Sequence, residues 1–200
     1  MTVIGLCGAS GSGKGTVCKF FGERGIECID ADLVYREITA NASPCLDEIA
    51  KAFGDKVICN GMLDRRTLAK TVFGDKEKLK LLNQITHKYI LSEIRKRISV
   101  AEQRGDDFIV VDAPLLFESG FDSECDVIVA VCAPVDVRIN RITERDCISR
   151  EEALARLSSQ KDNDFYRKNA DFVIENDSDV LSLADNTDAV IDKICYGDRV

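Results

Sequence analysis

Apolar residues along this chain gather into five short runs, separated by stretches whose hydrophobic positions recur with helical spacing. Val3-Ile4-Gly5-Leu6-Cys7 reads as a buried strand. Ile26-Glu27-Cys28-Ile29, Phe108-Ile109-Val110-Val111, Val127-Ile128-Val129-Ala130-Val131 and Phe172-Val173-Ile174 read as four more. A helix opens after the first strand and ends near Arg24, with Gly25 as its natural stop. From about Leu33 to Gln103 the period is helical: Leu46, Ile49, Ala50 and Phe53 share a face, and so do Leu68 and Val72, Leu79 and Leu82, and Ile90, Ile94 and Ile98. Gly54-Asp55 and Asn60-Gly61 mark turns between these helices. This stretch exceeds what a crossover between strands needs, so part of it is expected to cover a substrate. Val180, Leu183, Ala184, Val190, Ile191 and Ile194 lay out a terminal amphipathic helix. Strands alternating with helices predict an α/β fold built on an open sheet.

Between the first strand and first helix lies Gly8-Ala9-Ser10-Gly11-Ser12-Gly13-Lys14-Gly15-Thr16. Strand, glycine-rich turn and helix form the setting in which a G-x-x-x-x-G-K pattern carries a mechanism. Glycines let the backbone curl and approach an anion closely. A ring of N–H groups and the positive end of the helix dipole then hold phosphate, and Lys14 reaches the outer phosphates of a nucleotide. Thus Gly11, Ser12, Gly13, Lys14, Gly15 and Thr16 are expected to bind ATP. The pattern usually has Ser or Thr directly after the lysine as a Mg²⁺ ligand. Here that position is Gly15, and the hydroxyl arrives one residue later at Thr16. Thr16 thus touches either the metal or a phosphate oxygen.

Three strands end in polar residues where ligands of an open α/β sheet bind. The second delivers Asp30-Ala31-Asp32, the third Asp112 followed by Ala113-Pro114-Leu115-Leu116-Phe117-Glu118, and the fifth Glu175-Asn176-Asp177. Asp112 resembles the acidic strand end that holds Mg²⁺ in P-loop proteins. Asp32 admits a second reading as a helix N-cap, and Asp177 or Ser178 is expected to cap the last helix. Pro134 fits the first turn of the helix after strand four. On that helix Val135, Ile139 and Ile142 share one face, and Arg138, Arg141 and Arg145 another. Glu144 to Ile148 reads as a short polar connection, and Ser149-Arg150-Glu151-Glu152 as a capping box that opens a new helix. A solvated face would explain the arginines. A lid that closes over ATP requires cations, which favours function for Arg141 and Arg145; for Arg138 both readings stand.

With a net charge of −8 and no Lys/Arg-rich block, the chain lacks the basic footprint of a nucleic-acid partner. No apolar run approaches the length of a membrane span, and no signal peptide is read at the start. The nine cysteines show no C-x-x-C spacing, and His87 is the single histidine. Reduced thiols in a cytoplasmic protein are expected. The chain is expected to act as a monomer or weak homo-oligomer.

Read in order, these stretches resemble the dephospho-CoA kinases along nearly the whole chain. The matching stretches are the Gly8–Thr16 loop; Asp30-Ala31-Asp32 with Arg36; Asp64-Arg65-Arg66-Thr67-Leu68; His87; and Pro114-Leu115-Leu116-Phe117-Glu118. They continue with Arg141 to Asp146, Gln160, and Ala170-Asp171-Phe172-Val173-Ile174-Glu175-Asn176. Gly15, Lys88 in place of a usual proline, and Asp177-Ser178 in place of a frequent glycine depart from the family pattern.

The resemblance implies a single P-loop kinase domain over 1–200 with a five-stranded parallel sheet. It also implies a helical acceptor-binding insertion over about 33–104 and a small arginine-bearing lid over about 141–165. The reaction implied is transfer of the ATP γ-phosphoryl to the 3′-hydroxyl of the ribose of dephospho-CoA. Asp32 would orient that hydroxyl. Lys14, Arg141 and Arg145 would offset phosphoryl charge, and Mg²⁺ would be held through Thr16 or Asp112. Arg36, Arg65, His87, Pro114, Leu115, Phe117 and Glu118 would line the acceptor side, with Asn176 beside the adenine. A nucleoside monophosphate kinase shares the loop but not D-A-D or P-L-L-F-E. A P-loop switch protein would need neither an acceptor-orienting aspartate nor a lid.

Overall fold

The computed structural model describes residues 1–197. The chain opens with β1 (Thr2–Cys7), α1 (Lys14–Glu23), β2 (Glu27–Asp30), α2 (Ala31–Ile38) and α3 (Pro44–Phe53). A hairpin of β3 (Ile58–Cys59) and β4 (Met62–Leu63) leads into α4 (Arg65–Val72) and the long α5 (Lys76–Arg104). Then follow β5 (Phe108–Asp112), β6 (Val127–Cys132), α6 (Val135–Asp146), α7 (Arg150–Ser158), α8 (Asn163–Asn169), β7 (Phe172–Glu175) and α9 (Val180–Tyr196). Two compact units result: residues 30–100 make one, and residues 1–29 with the chain from 101 onward make the other.

The larger unit is organised by a five-stranded sheet in the order β2-β5-β1-β6-β7. β1 runs parallel to β5 with Leu6 opposite Asp112, and parallel to β6 with Leu6 opposite Val129. Ile4, Leu6, Val110, Val129, Val131 and Ile174 are fully buried, as expected for a sheet covered on both faces. Val17 and Phe21 on α1, and Leu183, Val190 and Ile191 on α9, pack into the same core. Each such side chain contributes about 1.5–3 kcal/mol relative to exposure. The chain leaves β1 towards β2 but leaves β5 towards β6, on the opposite side. The order therefore reverses between the carboxyl ends of β1 and β5, the place where open α/β sheets take ligands.

The smaller unit has its own core of Cys45, Leu46, Ile49, Val57, Leu63, Leu68, Val72 and Ile85. Its helices α3 and α4 start at Ser43 and Asp64, whose side chains accept hydrogen bonds from first-turn N–H groups. A third cluster, Ile139, Ile142, Ala153 and Leu157, joins α6 to α7, and the Ser149–Glu152 capping box is formed.

Several local expectations are corrected. The helical reading of this stretch missed the β3–β4 hairpin; Asn60-Gly61 is the expected turn between α3 and α4 and forms the bend of that hairpin. Both residues have positive φ (51° and 75°), the pairing a two-residue hairpin turn requires. α6 continues through Asp146, so Glu144 to Asp146 is helix, not connection. Pro134 is the N-cap of α6 rather than in its first turn, and Asp179 caps α9, not Asp177 or Ser178. Val135 lies on the same face of α6 as Ile139 and Ile142, but at the start of the helix it is 52% exposed while the other two are buried. Helix α8 has no counterpart in the sequence reading. Its two apolar residues, Phe165 and Tyr166, are adjacent and give no helical period. Among the described residues no helix is long and apolar enough to cross a membrane.

Candidate active site

The Gly8–Thr16 loop wraps the carboxyl end of β1, and its glycines meet steric demands. Gly8, Gly11 and Gly13 have φ of 142°, 78° and 106°. A β-carbon at Gly8 would sit 2.4 Å from the Val131 carbonyl oxygen, and one at Gly11 2.7 Å from that of Arg138. At Gly13 it would sit 2.2 Å from Asn176 Nδ2. Gly15 has open space around its backbone. Helix α1 begins at Lys14 itself, which places the loop at its positive end. Lys14 Nζ donates back to the Gly8 carbonyl at 2.9 Å.

Three successive loop carbonyls are held by side chains from distant elements. Arg138 Nε donates to Ser10 O at 3.1 Å. Arg141 Nη1 donates to Gly11 O at 3.3 Å and Ser12 O at 3.4 Å. Asn176 Nδ2 donates to Ser12 O at 2.7 Å, and its Oδ1 accepts from Arg141 Nη2 at 3.0 Å. Gln160 Oε1 accepts the N–H of Ser10 at 2.9 Å. A trans peptide points its C=O and N–H in opposite directions. Drawing the carbonyls of Ser10 and Ser12 outward therefore turns the N–H groups of Gly11 and Gly13 the other way. Ser12 N–H closes a turn onto Ala9 O at 3.1 Å, and Ser12 Oγ is buried without a hydrogen-bond partner among the described residues.

Beside the loop, Asp112 Oδ2 accepts from Cys18 Sγ of α1 at 3.8 Å. Burial pushes the Cys7 thiol up to about 12, and a hydrogen bond with Cys28, then burial, raises that of Cys18. Both remain protonated at neutral pH and are poor nucleophiles. Arg145 is exposed and forms a bidentate pair with Asp146 at 2.7 and 2.9 Å; Arg156 meets the same carboxylate. In the segment after β5, Pro114 is half-buried, and Leu115 and Glu118 are exposed. Leu116 is fully buried there, and Phe117 meets Phe165 edge-on with ring centres 5.2 Å apart.

In the smaller unit, Asp30 is the N-cap of α2: its side chain accepts from the N–H groups of Asp32 and Leu33 at 2.8 and 3.0 Å. The cap reading of Asp32 is thereby corrected, since Asp32 lies exposed in the first turn. Arg36 lies in the last turn of that helix. Arg65 Nη2 donates to Thr39 Oγ1 at 3.2 Å, and its guanidinium lies 5.8 Å from the Tyr35 ring centre. His87 is half-buried on α5, which continues unbroken through Lys88. Lys88 Nζ pairs with Glu48 at 2.6 Å, and Tyr89 also donates to that carboxylate.

Gln160 was legible only as part of a motif. Asn163, whose Oδ1 accepts from Arg138 Nη1 at 3.2 Å while its Nδ2 donates to Ala133 O at 2.9 Å, carries no local signal.

A family model described as dephospho-CoA kinase matches residues 2–182. The chain belongs to the dephospho-CoA kinase family. A dephospho-CoA kinase of Fusobacterium nucleatum is 42% identical over 182 residues, spanning 90% of this chain and 92% of its own. That of Carboxydothermus hydrogenoformans is 39% identical, spanning 96% and 94%. Among solved structures, a dephospho-CoA kinase from Campylobacter jejuni superposes with a TM-score of 0.73 at 29% identity, covering 98% of each chain. A shikimate kinase from Acinetobacter baumannii, 18% identical with a TM-score of 0.59, covers 100% of this chain and 96% of its own, and shares the fold. As a dephospho-CoA kinase, the enzyme transfers a phosphoryl group from ATP to dephospho-CoA, giving coenzyme A and ADP.

Proposed function

We propose that the Gly8–Thr16 loop holds the ATP polyphosphate and that Asp32 orients the ribose 3′-hydroxyl of dephospho-CoA for attack. The outward tethering of the loop carbonyls by Arg138, Arg141 and Asn176 carries this reading. It supplies inward N–H groups without reorganisation when the anion arrives. In the reaction the 3′-oxygen bonds to the γ-phosphorus as the bond to the bridging oxygen of ADP breaks, and the hydroxyl proton passes to Asp32. Lys14, Arg141 and Arg145 offset charge on the moving phosphoryl. Thr16 and Asp112 suit Mg²⁺: a hydroxyl and a carboxylate are hard oxygen donors, with phosphate oxygens and water completing the set. When bound, the ion would neutralise charge on the phosphates. Arg36, Arg65, His87, Pro114, Leu115, Phe117 and Glu118 are assigned to the acceptor, and Asn176 to the adenine side of ATP. The insertion over about 33–104 and the lid over about 141–165 belong to one kinase domain in this reading. It acts in the cytoplasm as a monomer or weak homo-oligomer, with no nucleic-acid partner.

The test is ADP release by purified protein with ATP and Mg²⁺, in the presence of dephospho-CoA, CMP or no acceptor. Turnover is expected with dephospho-CoA only. Asp32→Asn should retain ATP binding and lose turnover by about 10²–10⁴-fold; an active variant would remove Asp32 from the mechanism.

A further inference from the structure

Arg138 is the one arginine of the α6 trio that the solvent does not reach: it is 3% exposed. Its hydrogen bonds go to the Ser10 carbonyl and to the Asn163 carboxamide oxygen, both uncharged. No carboxylate lies within ion-pair distance of it among the described residues, although arginines elsewhere on the chain pair freely with Asp and Glu. Buried arginines ordinarily come with an anion, because a charge taken out of water without one is costly. Burial here depresses the tendency of the guanidinium to hold its proton; Tyr166 and Cys132 oppose that shift without reversing it, and neither is a carboxylate.

What lies in front of this cation is the phosphate loop. Gly11 has no side chain, and the position its β-carbon would take is 2.7 Å from the Arg138 carbonyl oxygen and 3.0 Å from its Cα, so α6 is packed directly behind the loop. One peptide plane, Ser10 to Gly11, separates the guanidinium from the concave side: the carbonyl takes Arg138 Nε, and the N–H faces away from it.

We propose that Arg138 is a positioning residue of the phosphoryl-donor site. It fixes the Ser10 carbonyl, and so the Gly11 N–H, and its missing counter-anion is the polyphosphate of the bound nucleotide. The proposal rests on the reading that the loop holds that polyphosphate. The free enzyme thus carries an unanswered buried charge, and ligand binding answers it. Asn163 serves as the neutral rest that keeps the guanidinium aimed at the loop without satisfying it electrically.

Two substitutions separate charge from scaffolding. Arg138→Gln keeps a donor for Ser10 and drops the charge. Asn163→Asp is nearly isosteric and gives the guanidinium a resident carboxylate. Titration calorimetry with inorganic tripolyphosphate and with ADP, beside thermal unfolding of the free proteins, supplies the readout. Both variants are expected to bind tripolyphosphate about 10- to 100-fold more weakly, and free Arg138→Gln should melt no lower than wild type. Asn163→Asp also loses the amide bond to Ala133 O, so it is judged on binding and not on its melting point. The KM for ATP should rise more than kcat falls. Arg138→Lys, which keeps the charge, should recover most of the affinity. If Arg138 were only a strut, Arg138→Gln and Arg138→Lys would lose thermal stability alike, and Asn163→Asp would bind tripolyphosphate as wild type does; that result overturns the proposal. Should Arg138→Gln fail to fold, Asn163→Asp decides alone by the same criterion. A wild-type protein that binds neither ligand would overturn the loop assignment itself, and this proposal with it. Unchanged variants beside a binding wild type overturn this proposal only.

Discussion

Arg141 and Asn176 hold one another beside the Gly8–Thr16 loop: Nη2 of the arginine donates to Oδ1 of the asparagine at 3.0 Å. The amide nitrogen of that asparagine, Nδ2, donates to the carbonyl of Ser12, 2.7 Å away and 164 positions earlier in the chain. The carboxamide, 5% exposed, thereby has both its oxygen and its nitrogen engaged by protein. It couples the strand at the far edge of the sheet to the loop at its centre.

Asn176→Ala should therefore act on the loop as well as on any base contact. Ser12 O would keep only the 3.4 Å bond from Arg141, and the loss of one such hydrogen bond costs about 0.5–1.5 kcal/mol. The midpoint of urea unfolding should fall accordingly, and the KM for ATP should rise. An unchanged midpoint with a raised KM would place the role of Asn176 wholly on the ligand.

The loop glycines make a sharper contrast. Gly13→Ala would place a methyl group 2.2 Å from Asn176 Nδ2 and force an L residue to a φ of 106°; backbone strain alone costs about 1–3 kcal/mol. Gly15 has no neighbour within 4 Å of a would-be β-carbon, and it occupies the second position of α1. Gly15→Ala should stabilise the free protein by up to about 1 kcal/mol. Unfolding of the two variants side by side checks the pair, and equal effects would contradict the loop geometry.

Asp146 sets a pH dependence. Hydrogen bonds from Arg145 first, and then from Arg156, hold its carboxyl well below the usual carboxylate range. A depressed carboxyl contributes stability that is fully present above its unfolded pKa, near 4, and is lost as pH falls below that value. Wild type should thus melt above Asp146→Asn at pH 6–7, and the gap should narrow between pH 4 and 2. The effect is small, because Arg145 is 61% exposed. A gap that stays constant with pH would show that the pair contributes nothing through its charge.

Cys147 ends α6 in the left-handed region, with φ 53° and ψ 43°, and its side chain is exposed. For a residue with a β-carbon that conformation costs about 1–2 kcal/mol. Cys147→Gly should raise the denaturation midpoint without changing the slope of the transition, and it should remove one fast-reacting thiol from a titration with a thiol reagent. A lowered midpoint would mean that the thiol makes a contact of more value than its weak approach to the Glu144 carbonyl at 3.9 Å.

The features read correctly from the sequence were those whose physics is local. Uninterrupted apolar runs made the five strands, glycine spacing made the loop, and Ser149 with Glu152 made a capping box; each signal lies within a handful of residues. The corrections have non-local causes. For Arg138 the solvated and the functional readings stay level until Gly11 is seen to admit helix α6 against the loop. Asn163 and Asn176 act through partners more than twenty residues away. Asp32 was separable from a cap only once Asp30 was seen to supply both acceptor bonds. The β3–β4 hairpin was hidden because two-residue strands leave no alternation to detect.

Phe117 leans edge-on against Phe165, and Tyr166 completes a triangle of rings, its centre 6.4 Å from that of Phe117 and 5.7 Å from that of Phe165. The segment after β5 is thus docked on α8 by rings rather than by hydrogen bonds. Exchanging that segment among relatives carries a rule of inheritance in pairs: residues 114–118 must travel with 163–169. A chimera that moves the first alone would leave an aromatic face uncovered, and would lose yield before its selectivity could be measured.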